Sequence, residues 1–507
     1  MKKSKLHRKS LLFLALLCAC VFAGSSTPAL GTEHVLAIDL ATESATLDPG
    51  LQYNTDSYTV YRNIFDNLLH RDPQTLEIIP WVAESWEQKD ELTWAFKIRG
   101  DIKFHNGESL KASDVAFSIN RILDKSFRSP QYSNYSQITS CEAEDDIVTI
   151  KTEAPSPTLL AQLVNLSVVP EKYVLEQGNE KFNLNPVGSG PYKFVNWQKG
   201  SQIELTANDE HWKGKPQIVG AVFRFVPNAA SRIADLQSGL ADVILNLNAD
   251  NVEALKSDGA LQVLSSPTER VAFLLFNCLR DSSPTKAVNV RKAIAYAIDR
   301  EAIVTSLLRG YGNLVKEVLT PLSFGYDDTV EGFSYDPEKA KQLLKEAGLE
   351  NVSITFISSP AYDQRVVQAV QGDLAKVGIG VKINIVEQAI YLKTVQDPAQ
   401  EWGDIRFGIW SSGTMDAHGT LVPLFHTGTL WSSFSNSNLD AALDAAAKIT
   451  DKEVRLREYK KAFQILQEEV PAIGLWQNYT LSAASKQLEW QPNAQESFFI
   501  QDMKWKD

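Results

Sequence analysis

Between residues 290 and 410 helical and extended patterns alternate, and this alternation constrains the fold more than any other feature. Val290 to Ile298 reads as a helix, and Asp299 is placed to cap a second one ending near Gly310. Asp336-Pro337 supplies an N-cap followed by proline at the first helical position. Ala340, Leu343, Leu344 and Ala347 form the apolar stripe of that helix, and Gly348 stops it. A strand is expected at Val352 to Ile357, then a helix carrying Val366, Val367, Val370 and Leu374 up to Gly378. Val381, Ile383 and Ile385 alternate as a strand, as do Ile405, Phe407 and Ile409. Strands and helices spaced in this way predict an α/β lobe around a largely parallel sheet.

The region 33–280 is mixed and richer in strands. Leu92, Trp94, Phe96 and Ile98 alternate as one side of a half-buried strand. Ser113 is placed to cap a helix whose buried face would carry Val115, Ile119, Ile122 and Leu123. Toward the end, Lys452 to Glu469 reads as a helix, which Pro471 terminates. With 507 residues, 44% of them apolar, the chain can form two or three domains. No internal repeat and no Pro-, Gly- or Ser-rich linker is visible, so these parts are expected to share one continuous architecture.

The N-terminus reads as an export signal. Lys2, Lys3, Lys5, Arg8 and Lys9 precede an apolar run from Leu11 to Ala23, which is too short for a comfortable membrane span. Ala29-Leu30-Gly31 offers the small residues of a cleavage site, giving a signal peptide over residues 1–31. Leu17-Cys18-Ala19-Cys20 is a rival lipoprotein box that would anchor the chain through Cys20. Both routes place the protein in the periplasm or elsewhere outside the cytoplasm. Loss of residues 1–31 removes five positive charges and no negative ones, taking the net charge from −12 to −17. Such a surface repels nucleic acid. Cys141 and Cys278 remain beyond the signal, either as a disulfide or as two small buried thiols.

A search for catalytic chemistry finds little. Gly188-Ser189-Gly190 lacks the spacing of a nucleophile elbow, and there is no H-E-x-x-H, Walker loop or G-x-G-x-x-G. The seven histidines are scattered. His418 and His426, the only near pair, lie in a segment with no helical stripe and give weak support for a metal site. Neither an enzyme nor a resident cofactor or metal is expected. A secreted hydrolase and a purely structural surface protein are the readings from other classes.

Four segments together resemble the family 5 extracellular solute-binding proteins, the peptide and nickel receptors of ABC importers. The first runs from Ile79-Pro80-Trp81-Val82-Ala83-Glu84-Ser85-Trp86 through Lys103-Phe104-His105-Asn106-Gly107 to Ser113-Asp114-Val115. The second is Asn185-Pro186-Val187-Gly188-Ser189-Gly190-Pro191-Tyr192, continuing to Trp212-Lys213-Gly214-Lys215-Pro216 and Leu236-Gln237-Ser238-Gly239. The third joins Val290-Arg291-Lys292-Ala293 and Ile298-Asp299-Arg300 to Tyr335-Asp336-Pro337-Glu338-Lys339-Ala340, and the fourth spans 457–476. Their order covers nearly the whole chain beyond the signal.

The resemblance implies an α/β, two-lobed periplasmic-binding-protein-like (type II) fold with an extra domain inserted in the first lobe. Lobe 1 would take residues 32–66, 186–270 and 480–507; the extra domain 67–185; and lobe 2 271–479. It also implies a monomeric receptor that closes over a solute and delivers it to an ABC permease and its ATPase. Trp81, Trp86 and Trp94 are expected in the core.

The ligand segment would be Trp410-Ser411-Ser412-Gly413-Thr414-Met415-Asp416-Ala417-His418. Peptide-binding relatives carry an Asp where Gly413 stands, and it pairs with the peptide's ammonium. Asp416 matches their second Asp, and Ala417 replaces a proline. Nickel-chelate receptors also lack the first Asp and carry Asp-Pro-His at 416–418. By that comparison Arg128 and Tyr53 would hold a chelate, Ser167 would replace a second arginine, and His426 lies in the metal-contacting loop at a different spacing. Arg128 can equally be a solvated charge after a helix. The expected ligand-binding set is therefore Tyr53, Arg128, Trp410, Ser411, Ser412, Gly413, Thr414, Asp416, His418 and His426. The ligand is expected to be an oligopeptide or peptide-like solute, with a nickel chelate as the alternative.

Overall fold

Two long strands, Leu261–Phe276 and Ala472–Ser485, run antiparallel through the middle of an eleven-stranded sheet. The computed structural model describes residues 34–52, 54–349, 352–397 and 399–506. The signal peptide, Cys20 and Tyr53 therefore lie outside the described residues, and Val35–Asp507 form one unit.

The sheet has two halves that share these crossing strands. On one side follow Val243–Ile244, Leu36–Leu40, Gly220–Phe225, Gln202–Ala207 and Tyr192–Gln198, with Leu36–Leu40 parallel to both its neighbours. On the other side follow Ile405–Trp410, Ser353–Ser358 and Gly380–Ile385. The three strands expected in the 290–410 region all form and pair parallel. The sheet of this half is nevertheless mixed, because Ile405–Trp410 runs antiparallel to the first crossing strand. It is not largely parallel because both crossing strands, which enter from outside residues 290–410, pair antiparallel within it.

The burial of the first crossing strand tracks its two environments. Val271 to Phe276 is buried throughout, as expected for a strand covered on both faces. Ala272, Leu274 and Phe276 face helices Val288–Ala297, Pro337–Glu346 and Gln364–Lys376. Phe273 and Leu275 face the opposite core, which contains Leu421, Leu443, Tyr459 and Phe463. Between these zones the register with the second strand breaks, at Pro267/Val271 and again at Ala272/Phe273. At the break, Thr268 Oγ1 donates to Asn478 O and Gln477 Nε2 donates to Thr268 O, at 2.9 and 2.8 Å.

A separate four-stranded antiparallel sheet is formed by Ala83–Gln88, Thr93–Ile98, Ile147–Thr152 and Ile138–Glu144. Helix Ala112–Leu123 buries Val115, Ile119 and Ile122 on the core of this sheet. Trp81 lies in that core, with Trp86 and Trp94 packed against it. Ser113 is not the cap: it is the second residue of the helix, and the Asp114 carboxylate reaches back to accept from Lys111 N at 2.8 Å.

Most remaining helix expectations match. Asp299 and Asp336 accept from Ala302 N and Lys339 N, each at 2.9 Å. Lys452–Glu469 is helical and ends on Val470 in the left-handed conformation. His418–Phe425 is also a helix, in the segment read as lacking a helical stripe; Pro423 lies inside it. Cys141 and Cys278 are both free and pack in different cores. Burial pushes their thiols up to about 12 and about 11 respectively.

Candidate functional site

The segment Ser411–Ala417 follows strand Ile405–Trp410 and leads into helix His418–Phe425. Its shape is set locally. Ser412 O accepts from Met415 N at 2.8 Å, and the hydroxyls of Ser412 and Thr414 are 2.7 Å apart. Met415 takes the left-handed backbone conformation, and Asp416 bridges in parallel to Phe324.

This loop separates two chambers of a cleft. The first, about 670 Å³, is walled by Thr55, Asp56, Tyr58 and Arg62, by Glu269 and Arg270 at the register break, by Glu496, and by Ser411, Ser412 and Gly413. The second, about 590 Å³, shares Asn165 and Ser411–Gly413 with the first. It is more apolar, with Tyr135, Trp410, Val422, Pro423, Leu430 and Trp431 in its walls. Trp410 meets Trp431 edge-on with centroids 5.5 Å apart, and its Nε1 donates to Gly419 O at 2.9 Å. The loop is also held from strand Leu69–Arg71 and from the turn after helix Leu159–Leu163. Asn165 Nδ2 donates to Gly413 O at 3.1 Å and Arg71 Nη2 to Thr414 O at 3.0 Å.

Glu269 and Arg270, adjacent on the first crossing strand, both line the first chamber but take different partners. Glu269 Oε2 accepts from Ser412 N at 2.6 Å, and Oε1 lies 3.5 Å from the Ser323 hydroxyl. Arg270 Nε pairs with Glu496 at 2.5 Å, and Nη2 donates to Thr55 Oγ1 at 3.2 Å. The first chamber therefore holds three carboxylates (Asp56, Glu269 and Glu496) against two guanidinium groups (Arg62 and Arg270), so it carries a net negative charge when all are ionised. Burial raises Glu269 well above the ordinary glutamate value, and the Ser412 N–H and then Arg270 only partly oppose this. Burial also raises Asp56.

The expected residues divide into two groups. Trp410, Ser411, Ser412, Gly413, Thr414 and His418 line the chambers. His418 is half-buried, its Nδ1 is shielded and unpartnered among the described residues, and desolvation lowers its basicity. Asp416, His426 and Arg128 line neither chamber. Asp416 pairs inward with Arg455 and Tyr459. His426 sits at the helix end with Nε2 3.3 Å from Asp444 and Nδ1 3.9 Å from Asp440. Arg128 is exposed, in a left-handed conformation; the buried arginine of that segment is Arg121, paired with Asp48 at 2.5 Å. Ser167 hydrogen-bonds Asn67 away from the cleft. Among the described residues, no group of three or more His, Cys, Asp or Glu side chains is placed to hold a metal ion.

Sequence reading missed Glu269, Arg270, Glu496 and Asp56. The one available signal was the Glu-Arg pair immediately before the apolar run Val271 to Phe276. Nothing local marked it as a cleft residue rather than a solvated edge.

The family model for bacterial extracellular solute-binding proteins, family 5 (middle), matches residues 77–431, and the chain belongs to that family. Heme-binding protein A of Haemophilus influenzae is 32% identical over 84% of this chain and 82% of its own length. The dipeptide-binding protein of Escherichia coli is 30% identical over 84% of each chain. The periplasmic binding protein DppA of Helicobacter pylori, solved with the peptide STSA, superposes with a TM-score of 0.79 at 27% identity. That match covers 94% of this chain and 98% of the other. The fold is thus the two-lobed type II binding-protein fold, with the crossing strands joining the lobes. The family consists of solute-binding receptors.

Proposed function

We propose that the protein is the extracytoplasmic receptor of an ABC importer that captures a peptide or peptide-like solute and passes it to the permease. The observation that carries this reading is the cleft itself. It has a charged chamber beside an aromatic one, and the Ser411–Thr414 loop between them is held from both sides. A ligand spanning both chambers would contact both halves only when they are closed, and would stabilise that state. Backbone groups of the loop suit extended-peptide recognition, with the apolar chamber receiving a side chain. The two relatives named for haem and dipeptide differ in ligand, so family membership leaves the cargo to the cleft's chemistry.

The residues proposed to touch ligand are Trp410, Ser411, Ser412, Gly413, Thr414 and His418, with Glu269 and Arg270 at the register break. Catalysis is not part of the proposal. Delivery by export, with either cleavage after Gly31 or lipidation at Cys20, and a monomeric state complete it. Native mass spectrometry of protein purified from its own host tests the reading, because the retained ligand can be released and identified and the N-terminal mass distinguishes the two processing routes. A bound peptide supports the proposal. A nickel isotope pattern with a small organic acid replaces it with the chelate reading, and turnover of peptide or ester substrates would overturn the receptor role.

A further inference from the structure

We propose that Glu269 is the carboxylate that receives the ammonium group of the ligand, in place of the acidic side chain that Gly413 cannot supply. The inference rests on the peptide reading above and specifies its anchoring chemistry.

Three observations carry it. First, Glu269 Oε2 lies 2.6 Å from the backbone nitrogen of Ser412, so a different strand delivers a carboxylate to within one residue of Gly413. Second, Glu269 lines the first chamber and is buried, yet among the described residues no guanidinium pairs with it directly; the adjacent Arg270 is turned to Glu496 and Thr55. Among the described residues its hydrogen-bond partners are one backbone N–H and a long contact to the Ser323 hydroxyl, which leaves acceptor capacity for an incoming N–H donor. Third, the chamber has three carboxylates and two guanidinium groups, so one cationic group from a ligand balances it. A buried carboxylate without a counter-ion is costly, and an arriving ammonium relieves that cost.

The position adds a mechanical consequence. Glu269 sits where the strands joining the two halves lose register, and it bonds to the loop of the second half. An ammonium placed against it would bind at the junction between halves. The charged and titratable groups around Glu269 are Arg270 on its own strand, Glu496 from the C-terminal segment, and Asp56, Tyr58 and Arg62 on and just after helix Thr55–Tyr61. Burial keeps Glu269 protonated to a higher pH than an exposed glutamate. Binding of an ammonium should therefore release a proton from the cleft to solvent.

The test compares di- and tripeptides bearing free amino ends with their N-acetylated counterparts, by calorimetry on the wild type, Glu269→Gln and Asp56→Asn. Glutamine keeps the acceptor for Ser412 N and the side-chain volume, so the variant should fold. The expected result is at least a tenfold preference of the wild type for free amines, erased in Glu269→Gln and only reduced in Asp56→Asn, because Asp56 adds to the charge of the chamber without holding the ammonium. Proton release, read from buffers of different ionisation enthalpy, should accompany wild-type binding of free amines and vanish in Glu269→Gln. Equal binding of free and acetylated peptides by the wild type overturns the ammonium role while the peptide reading stands. Loss of the preference in Asp56→Asn and not in Glu269→Gln assigns the role to Asp56 instead. Wild-type protein that binds no peptide in either form overturns both.

Discussion

Asp416 and Arg455 meet in a two-point buried ion pair, with Nη1 to Oδ2 at 2.6 Å and Nη2 to Oδ1 at 2.8 Å. Tyr459 donates its hydroxyl to the same carboxylate at 2.9 Å, and Asp416 Oδ1 also accepts from His418 N at 2.9 Å. The second acid of the recognisable motif therefore holds the cleft loop from behind and has no oxygen turned toward the chambers.

Asp416→Asn should accordingly destabilise the protein by about 3–5 kcal/mol, because it leaves the Arg455 guanidinium buried without a counter-charge. Urea unfolding would show this as a lower midpoint with an unchanged slope. Ligand affinity measured on the folded fraction should stay close to that of the wild type. A large loss of affinity with no loss of stability would put Asp416 back among the contact residues.

Glu317 offers a pH-dependent test. Burial raises it from 4.5 to about 8, with Asp327 N as a hydrogen-bond donor at 3.3 Å and Oε2 unpartnered among the described residues. Because its folded value lies above its unfolded value, the native state is penalised as pH rises from about 4.5 to about 8. Glu317→Gln should therefore stabilise the protein by about 2–4 kcal/mol at pH 8.5 and have little effect at pH 4. Melting curves of both proteins across that range decide the matter, and a gain independent of pH would contradict the assignment.

Gly419 tests the loop. A Cβ there would clash with the Ser412 hydroxyl and stand 2.8 Å from Ser412 Cβ and 3.3 Å from Thr414 Oγ1. Because the Ser412 backbone N–H donates to Glu269 Oε2, Gly419→Ala should displace the loop and weaken ligand binding roughly tenfold, about 1.4 kcal/mol. Isothermal titration with the ligand recovered from the native protein measures the effect. Unaltered affinity would show that the Ser411–Thr414 loop does not shape the binding surface.

By itself the sequence determined most of the elements and the family, with helix His418–Phe425 the main omission. The stripes of Pro337–Glu346 and Gln364–Lys376, the caps at Asp299 and Asp336, and the alternation in Ile405–Trp410 are set by residues within one or two turns or strand repeats of one another. Such patterns can be read without the rest of the chain, and so can the loop Trp410–Thr414, because its motif is contiguous. Tertiary structure decided which residues face the cleft. Asp416 looked like a ligand residue until Arg455, 39 positions away, was seen to occupy it. Glu269 looked like an ordinary strand residue until Ser412, 143 positions away, was seen against it. Whether a charge is spent on the fold or left for a ligand depends on which opposite charge packing brings to it, and that pairing is written in no local pattern.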